Sequence, residues 1–202
     1  MTTSAAATTD RSDFRNVLVS GTKLGVVTGV AVVAYLVVTR FLGPGVPRDA
    51  ILSLLVLATG ALVSLLPGEW AVARNTEGVA GAAAIGLWGS VTFMAIDVVL
   101  LRPFKAYPWT WDAIGGGSSW WYLPIWWMLG TFLAWMGGML TAGRYARGPT
   151  TLAGTAMPVV IGAVALTAVA KLAGAPGMLP VLVGAGYTVS LAVLALVSLR
   201  KA

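Results

Sequence analysis

The sequence has no histidine and no cysteine among its 202 residues. This absence excludes disulfides, thiolate nucleophiles, iron–sulfur clusters, haem held by histidine or cysteine, and almost all zinc and copper sites. Histidine is also the most frequent acid–base group in enzymes, so the commonest proton-transfer residue is missing. We therefore expect no metal site and no catalytic residues, and we predict that the protein is not an enzyme.

Charged residues are scarce as well, at 10% of the chain, whereas soluble domains carry roughly 25%. The 58% hydrophobic share and the long apolar runs place the chain among integral membrane proteins. The net charge is +6, but the lysines and arginines are scattered singly and in pairs between the apolar runs. A nucleic-acid-binding surface gathers them into a patch, so we expect membrane lipids and other membrane subunits as partners, and no nucleic acid.

Six apolar segments each approach the roughly 20 residues that a helix needs to span a bilayer. Stretches of glycine, proline and polar residues separate them. The predicted spans are 24–42, 50–67, 78–101, 120–142, 151–173 and 178–198. The fold class that follows is an all-α integral membrane protein, a bundle of about six transmembrane helices.

The polar N-terminus precedes these spans. We predict that residues 1–22 form a tail that is disordered over about its first dozen residues, with a short interfacial helix at 14–20 as an option. A cleaved signal peptide is the competing interpretation, but no small-residue cleavage pattern follows the first apolar run. We therefore expect residues 23–202 to form a single transmembrane domain with its first span retained.

Loop charges predict the orientation. With the N-terminus inside, eight basic residues lie on the cytoplasmic side and five on the outer side. The eight are Arg11, Arg15, Lys23, Arg74, Arg144, Arg147, Arg200 and Lys201, and the five are Arg40, Arg48, Arg102, Lys105 and Lys171. Because basic residues concentrate in cytoplasmic loops, both termini are predicted to be cytoplasmic. The high alanine, glycine and valine content, with arginine exceeding lysine, favours a bacterial cytoplasmic membrane.

Tryptophan is concentrated in residues 108–135, which hold seven of the nine in the chain. These seven are Trp109, Trp111, Trp120, Trp121, Trp126, Trp127 and Trp135. Tryptophan prefers the boundary between hydrocarbon and water, so we interpret 102–119 as an aromatic extracytoplasmic loop that leads into the fourth span. The seven rings are candidates for contact with a partner subunit or lipid. No cofactor is predicted, although a non-covalently held pigment, quinone or lipid stays open as an alternative.

Small residues recur at helical spacing in three of the spans. Membrane helices associate through close backbone packing, so such stripes mark contact faces. The predicted packing residues are Gly25, Gly29, Gly86, Ser90, Gly130, Ala134 and Gly138. We interpret them as packing within one monomer rather than as a dimerisation motif.

Asp97 is the only acidic residue inside an apolar run. It shares a helix face with Gly86 and Ser90, so we expect it to face protein rather than lipid. A buried carboxylate is costly unless it is paired or protonated. Arg40 and Lys171 are predicted to lie at a matching depth, and Arg40 is favoured because a guanidinium can bond a carboxylate twice. The pair is either a structural ion pair or a gate.

These features favour a non-catalytic multi-pass membrane protein, an accessory or assembly subunit of a larger membrane complex. The alternative is a small permease or channel that uses Asp97 with Arg40 or Lys171. Such proteins normally gather several polar groups near the midplane, which these spans do not. An enzyme is a distant third, since it would need Asp97, Glu69 or Glu77 as its acid without a nucleophile beside it.

The predicted orientation is testable by cysteine labelling, because the chain has no native cysteine. We expect Gly116→Cys to react with a membrane-impermeant maleimide added outside intact cells. The control, Thr3→Cys in the N-terminal tail, should react only after the membrane is made permeable. Labelling of position 116 from the cytoplasmic side alone would reverse the orientation.

Overall fold

The computed structural model describes residues 13–103, 106 and 122–199, and within them every regular element is helical. Six helices are long and apolar enough to cross a membrane, so the predicted all-α fold of six spanning helices is confirmed. They are α1 Phe14–Phe41, α2 Val46–Trp70, α3 Thr76–Ile96, α4 Tyr122–Tyr145, α5 Leu152–Leu172 and α6 Leu179–Leu199. A π-helical turn, Asp97–Leu101, continues α3.

Short polar side chains define where several helices begin. Asp13, Asn75 and Thr151 precede α1, α3 and α5, and each side chain accepts a hydrogen bond from a backbone N–H in the first turn. Such N-caps satisfy donors that the helix itself leaves unpaired. At the α5–α6 turn, Gly174 and Gly177 adopt φ angles of 75° and 121°, which glycine reaches without a steric penalty. These local signals explain the close agreement of the α5 and α6 bounds with the predicted spans.

Helix α1 differs from the prediction at its start. It begins at Phe14, ten residues before the predicted span, so residues 14–22 belong to the helix rather than to a tail. Ser20 and Gly21 are buried, and Gly21 lies against Trp88 of α3, so tertiary packing holds this polar turn in the helix. The predicted disorder of the first dozen residues lies outside the described residues.

Helix α2 also extends beyond its predicted end. Pro67 was expected to terminate the span, but it lies inside the helix, which continues to Trp70. Proline removes one backbone hydrogen bond from a helix and usually ends or kinks it. Here Pro67 and Gly68 are buried, and Gly68 packs against Thr141 of α4. We attribute the extra turn to this contact.

The helices form one bundle in which α2 touches all five others. Helix α3 lies between α1 and α4, and α4 in turn packs against α2 and α6. Helix α5 packs chiefly against α6, the helix that follows it after a short turn. The largest apolar core lies among α2, α4, α5 and α6, around Leu65, Met136, Val159 and Leu191.

Contacts between helix ends show which termini share a side. The Tyr145 hydroxyl donates to Glu69 Oε2 at 3.0 Å, and Gly143 packs against Ser198. These contacts join the ends of α2, α4 and α6. Asn16 brings the start of α1 to the same end by donating to the backbone carbonyl of the last residue of α2. We call this end, which carries both termini of the described bundle, the near face, and the other end the far face.

The residues predicted for helix packing lie at contacts between helices of the monomer. Gly25 and Gly29 of α1 meet Thr92 and Ile96 of α3. On the other side of α3, Gly86 lies against Ala134 and the backbone of Gly130, Ser90 lies against Gly130, and Ala82 lies against Gly138. Helix α3 is therefore held between two small-residue seams.

One close approach was not predicted. Gly137 of α4 lies against the backbone of Ser64 in α2, so closely that a Cβ atom at position 137 would overlap the Ser64 carbonyl group. Neither helix backbone can move aside as a flexible side chain would. The α2–α4 contact therefore requires glycine at this position.

Gly137→Ala is expected to lower the free energy of unfolding by about 1–3 kcal/mol, the usual cost of overpacking a filled site. The matched control is Gly43→Ala, because a Cβ there would meet nothing within 4 Å. Thermal unfolding of both variants in a mild detergent measures the difference. Equal stability of the two variants would contradict the tight α2–α4 seam.

Candidate functional site

The only acid predicted within a span, Asp97, lies in the interior of the protein. It is 1% exposed and opens the π-helical turn at the far end of α3. In that turn the N–H of Arg102 bonds to the carbonyl of Asp97, five residues earlier, at 3.0 Å. Turns with this wider spacing are rare and occur frequently at functional sites. Asp97 is therefore the first candidate for a functional residue.

Arg102 pairs with Asp97. Its Nε donates to Asp97 Oδ2 at 3.2 Å, and the side chains are 25% and 2% exposed respectively. In a regular α-helix, residues five apart point about 140° away from each other, given 3.6 residues per turn. The π turn winds more residues into one turn and brings the two side chains together. The backbone irregularity thus creates the ion pair.

Asp97 therefore pairs with Arg102 rather than with either base predicted from the sequence. Gly25–Thr92 and Gly29–Ile96 set a constant offset of 67 residues between α1 and α3. Asp97 therefore lies level with residue 30, and Arg40 is about ten residues, or roughly 15 Å, nearer the far face. The sequence prediction measured depth from the helix ends and so misaligned the two helices.

Lys171, the other predicted partner, forms its hydrogen bond with a different group. Its Nζ donates to the backbone carbonyl of Gly177 at 3.0 Å, which closes the turn between α5 and α6.

The sequence does not identify Arg102 as the partner, because Arg102 follows the apolar run directly and is assigned to the loop. The signal available in the sequence was a base five residues after an acid, but that spacing is meaningful only when a π turn is already known.

Apolar residues precede and follow Asp97 along α3 and the π turn. Phe93, Met94 and Leu101 form a small buried cluster, with Val32 of α1 packed against it. The ring of Phe93 meets Trp126 of α4 edge to face, with ring centroids 6.2 Å apart and an interplanar angle of 72°. Electrostatic attraction is stronger in such a low-dielectric setting than in water, and an unpaired charge there is correspondingly costly.

Three tryptophan side chains of α4 are partly exposed on the outside of the bundle. Trp126, Trp127 and Trp135 are 40%, 39% and 46% exposed. Met128, which is 72% exposed, lies seven residues before Trp135 and shares its helix face, with Trp127 beside it. We call Trp127, Met128 and Trp135 the α4 stripe. The predicted contact residues Trp109, Trp111, Trp120 and Trp121 lie outside the described residues.

A polar cluster occupies the near face. Tyr145 donates to Glu69, and the guanidinium of Arg74 lies over the Tyr145 ring, 5.1 Å from its centroid. The tyrosine thus joins one acid and one base without a direct salt bridge. Arg144, in the last turn of α4, and Arg147, just after the helix ends, each bond to a backbone carbonyl. This arrangement ties α2 to α4 at the near face.

Within the ranges that the structure describes, no three acidic side chains gather as metal ligands would. No protein-family model, curated protein or solved structure matches the chain. The site is therefore interpreted from its own residues.

The Asp97–Arg102 pair is testable by a double-mutant cycle. We expect Arg102→Gln to destabilise more than Asp97→Asn, because it removes a basic partner from the more deeply buried charge. The double variant should lose less than the sum of the two, with a coupling of about 1–3 kcal/mol in thermal or denaturant unfolding.

The control cycle combines Asp97→Asn with Arg40→Gln, which removes the base that the sequence favours as the partner. These two changes should be additive, since Arg40 lies about ten residues too far along. Additivity of Asp97→Asn with Arg102→Gln would show that the ion pair makes no net contribution.

Proposed function

We propose that this multi-pass membrane protein is a non-catalytic accessory or assembly subunit that binds a membrane partner through the lipid-facing side of α4. The observation that carries the proposal is a contrast within the bundle. Most of its buried hydroxyl groups bond inside the protein, while large aromatic rings of α4 are partly exposed on the outside of the bundle. A carrier or enzyme needs the opposite distribution, with polar groups free to meet a substrate.

The buried hydroxyls support the first half of this contrast. Most of them donate to a carbonyl three or four residues earlier in their own helix, which leaves no donor for a solute. These residues are Ser53, Thr141, Thr155, Thr167 and Ser198. Ser64 and Tyr187 bond each other across α2 and α6 at 2.8 Å, so this pair too is internal. Such bonds stabilise the bundle without lining a path through it.

The α4 stripe supports the second half. Tryptophan and methionine are enriched in protein–protein interfaces, and tryptophan dominates their binding energy. Trp127, Met128 and Trp135 present three large side chains on the outside of a helix whose other side contains the core residues Met136 and Leu140. A partner helix lying on this stripe would gain contact area at a small cost in side-chain entropy.

The cellular setting belongs to the same proposal. We place the protein in a bacterial cytoplasmic membrane with the near face toward the cytoplasm. Arg74, Arg144 and Arg147 lie on the near face, in agreement with the positive-inside rule.

A small permease is the alternative, and the π turn at Asp97 favours it. A buried carboxylate on an irregular turn is an arrangement that transporters use for ion coupling. In this protein the carboxylate already has a basic partner on its own chain. A structural role for the pair is therefore the simpler account.

Partner binding is tested by purification from the native membrane in mild detergent with an affinity tag. We expect a stoichiometric membrane protein to co-purify, and Trp127→Leu with Trp135→Leu to reduce its recovery at least about tenfold. Leucine keeps these positions apolar, so the variant should remain folded. The control is Val30→Ala with Leu54→Ala, which alters exposed positions on α1 and α2 and should leave recovery unchanged.

Purification of the wild type as a lone chain that moves a solute in liposomes would overturn the proposal. In that case the Asp97→Asn variant identifies the mechanism. Loss of flux at unchanged thermal stability would assign Asp97 to transport, whereas flux that falls only with the amount of folded protein would leave it a structural residue.

A further inference from the structure

A crevice of about 310 Å³ lies on the near face, where α4 ends and α5 begins. Its walls are Arg144, Arg147, Gly148, Pro149 and Thr150. Gly148 has a φ of 136°, a backbone conformation that favours glycine, and it turns the chain around the crevice. Two guanidinium groups and a hydroxyl therefore line one open, shallow site at the end of the bundle.

Both arginines are held in place by a single bond to the backbone. Arg144 Nη1 donates to the carbonyl of Gly154 at 2.8 Å, and Arg147 Nε donates to the carbonyl of Gly143 at 2.8 Å. A guanidinium has five N–H donors, so each arginine keeps most of its donors for a ligand. Fixing the side chains beforehand lowers the entropy that ligand binding must offset.

The charge of this crevice is not compensated nearby. Among the described residues, neither Arg144 nor Arg147 forms a salt bridge. Glu69, on the same face, accepts the hydroxyl of Tyr145, and the guanidinium of Arg74 lies over the ring of that tyrosine. Two fixed positive charges without an acid favour an anionic ligand, and a guanidinium fits the planar, bidentate bonding of a phosphate.

The surroundings of the crevice are those of a membrane boundary. Arg144 lies in the last turn of the spanning helix α4, and Gly154, which it bonds, lies in the first turn of α5. From Gly154 the same side of α5 continues with Met157 and Ile161, which are 57% and 60% exposed. A ligand with a phosphate and two acyl chains would place its phosphate in the crevice and its chains along this side of α5.

We propose that the Arg144–Arg147 crevice binds the phosphate of an anionic phospholipid. Basic pockets at the cytoplasmic ends of membrane helices suit such headgroups. A free phosphate ion shares the headgroup chemistry but cannot use the apolar side of α5. This site is separate from the α4 stripe and does not depend on the proposed partner subunit.

The test uses the full chain, purified in maltoside detergent and stripped of lipid. Added phosphatidylglycerol should raise its thermal unfolding temperature more than phosphatidylcholine with the same acyl chains, and native mass spectrometry should show the added phosphatidylglycerol still bound. In the double variant Arg144→Gln with Arg147→Gln, we expect affinity for phosphatidylglycerol to fall about thirtyfold. Each arginine contributes about fivefold to the affinity through its attraction to the anionic lipid. The two lipids should then stabilise equally.

The matched control is Arg15→Gln with Lys23→Gln, which removes two exposed charges from α1 and should leave lipid selectivity unchanged. If the double arginine variant fails to fold, Arg147→Gln alone serves, because Arg147 is exposed. Equal phosphatidylglycerol retention by the variant and the wild type would overturn the proposal. So would stabilisation by inorganic phosphate that requires both arginines while phosphatidylglycerol gives none.

Discussion

Close backbone contact between helices is the constraint on which this bundle depends. Lipid is as apolar as the helices, so burial from water does not drive them together and association relies on packing. Gly137 against the backbone of Ser64 is the tightest form of this packing, and it joins α2, which touches every other helix, to α4. The seams at Gly86 and Gly25 fix α3 between its neighbours in the same way. With small residues facing inward, bulky side chains remain for the outer surface.

The ion pair at the far end of α3 follows from those seams. Packing against α1 and α4 fixes the rotation of α3, and this rotation turns Asp97 inward to 1% exposure. A carboxylate in that position needs compensation, and the π turn supplies it by bringing Arg102 within 3.2 Å. Arg102 remains a quarter exposed, so the charge pair bridges the protein interior and its boundary. The same geometry is compatible with a gate, which is why transport and stability must be measured together.

The outside of the protein divides into surfaces of different chemistry. The α4 stripe offers aromatic rings and a methionine to whatever lies beside it in the membrane plane. The Arg144–Arg147 crevice offers positive charge at the near face. Most of the buried hydroxyls bond within their own helices, and Ser64 and Tyr187 bond each other. A protein whose buried hydroxyls are mostly bonded internally and whose outer surfaces differ in chemistry is suited to holding neighbours in position, which is the role proposed here.

The sequence by itself determined the six spans, most of their bounds, and seven of the small residues that lie at helix contacts, but not Gly137. These depend on local hydropathy, capping and residue size, all of which can be read along the chain. It did not determine the start of α1 or the continuation of α2 past Pro67, because buried contacts overrode the local signals. Only the tertiary structure decided the partner of Asp97. That choice depends on the relative register of two packed helices and on a π turn, and 3.6-residue periodicity describes neither.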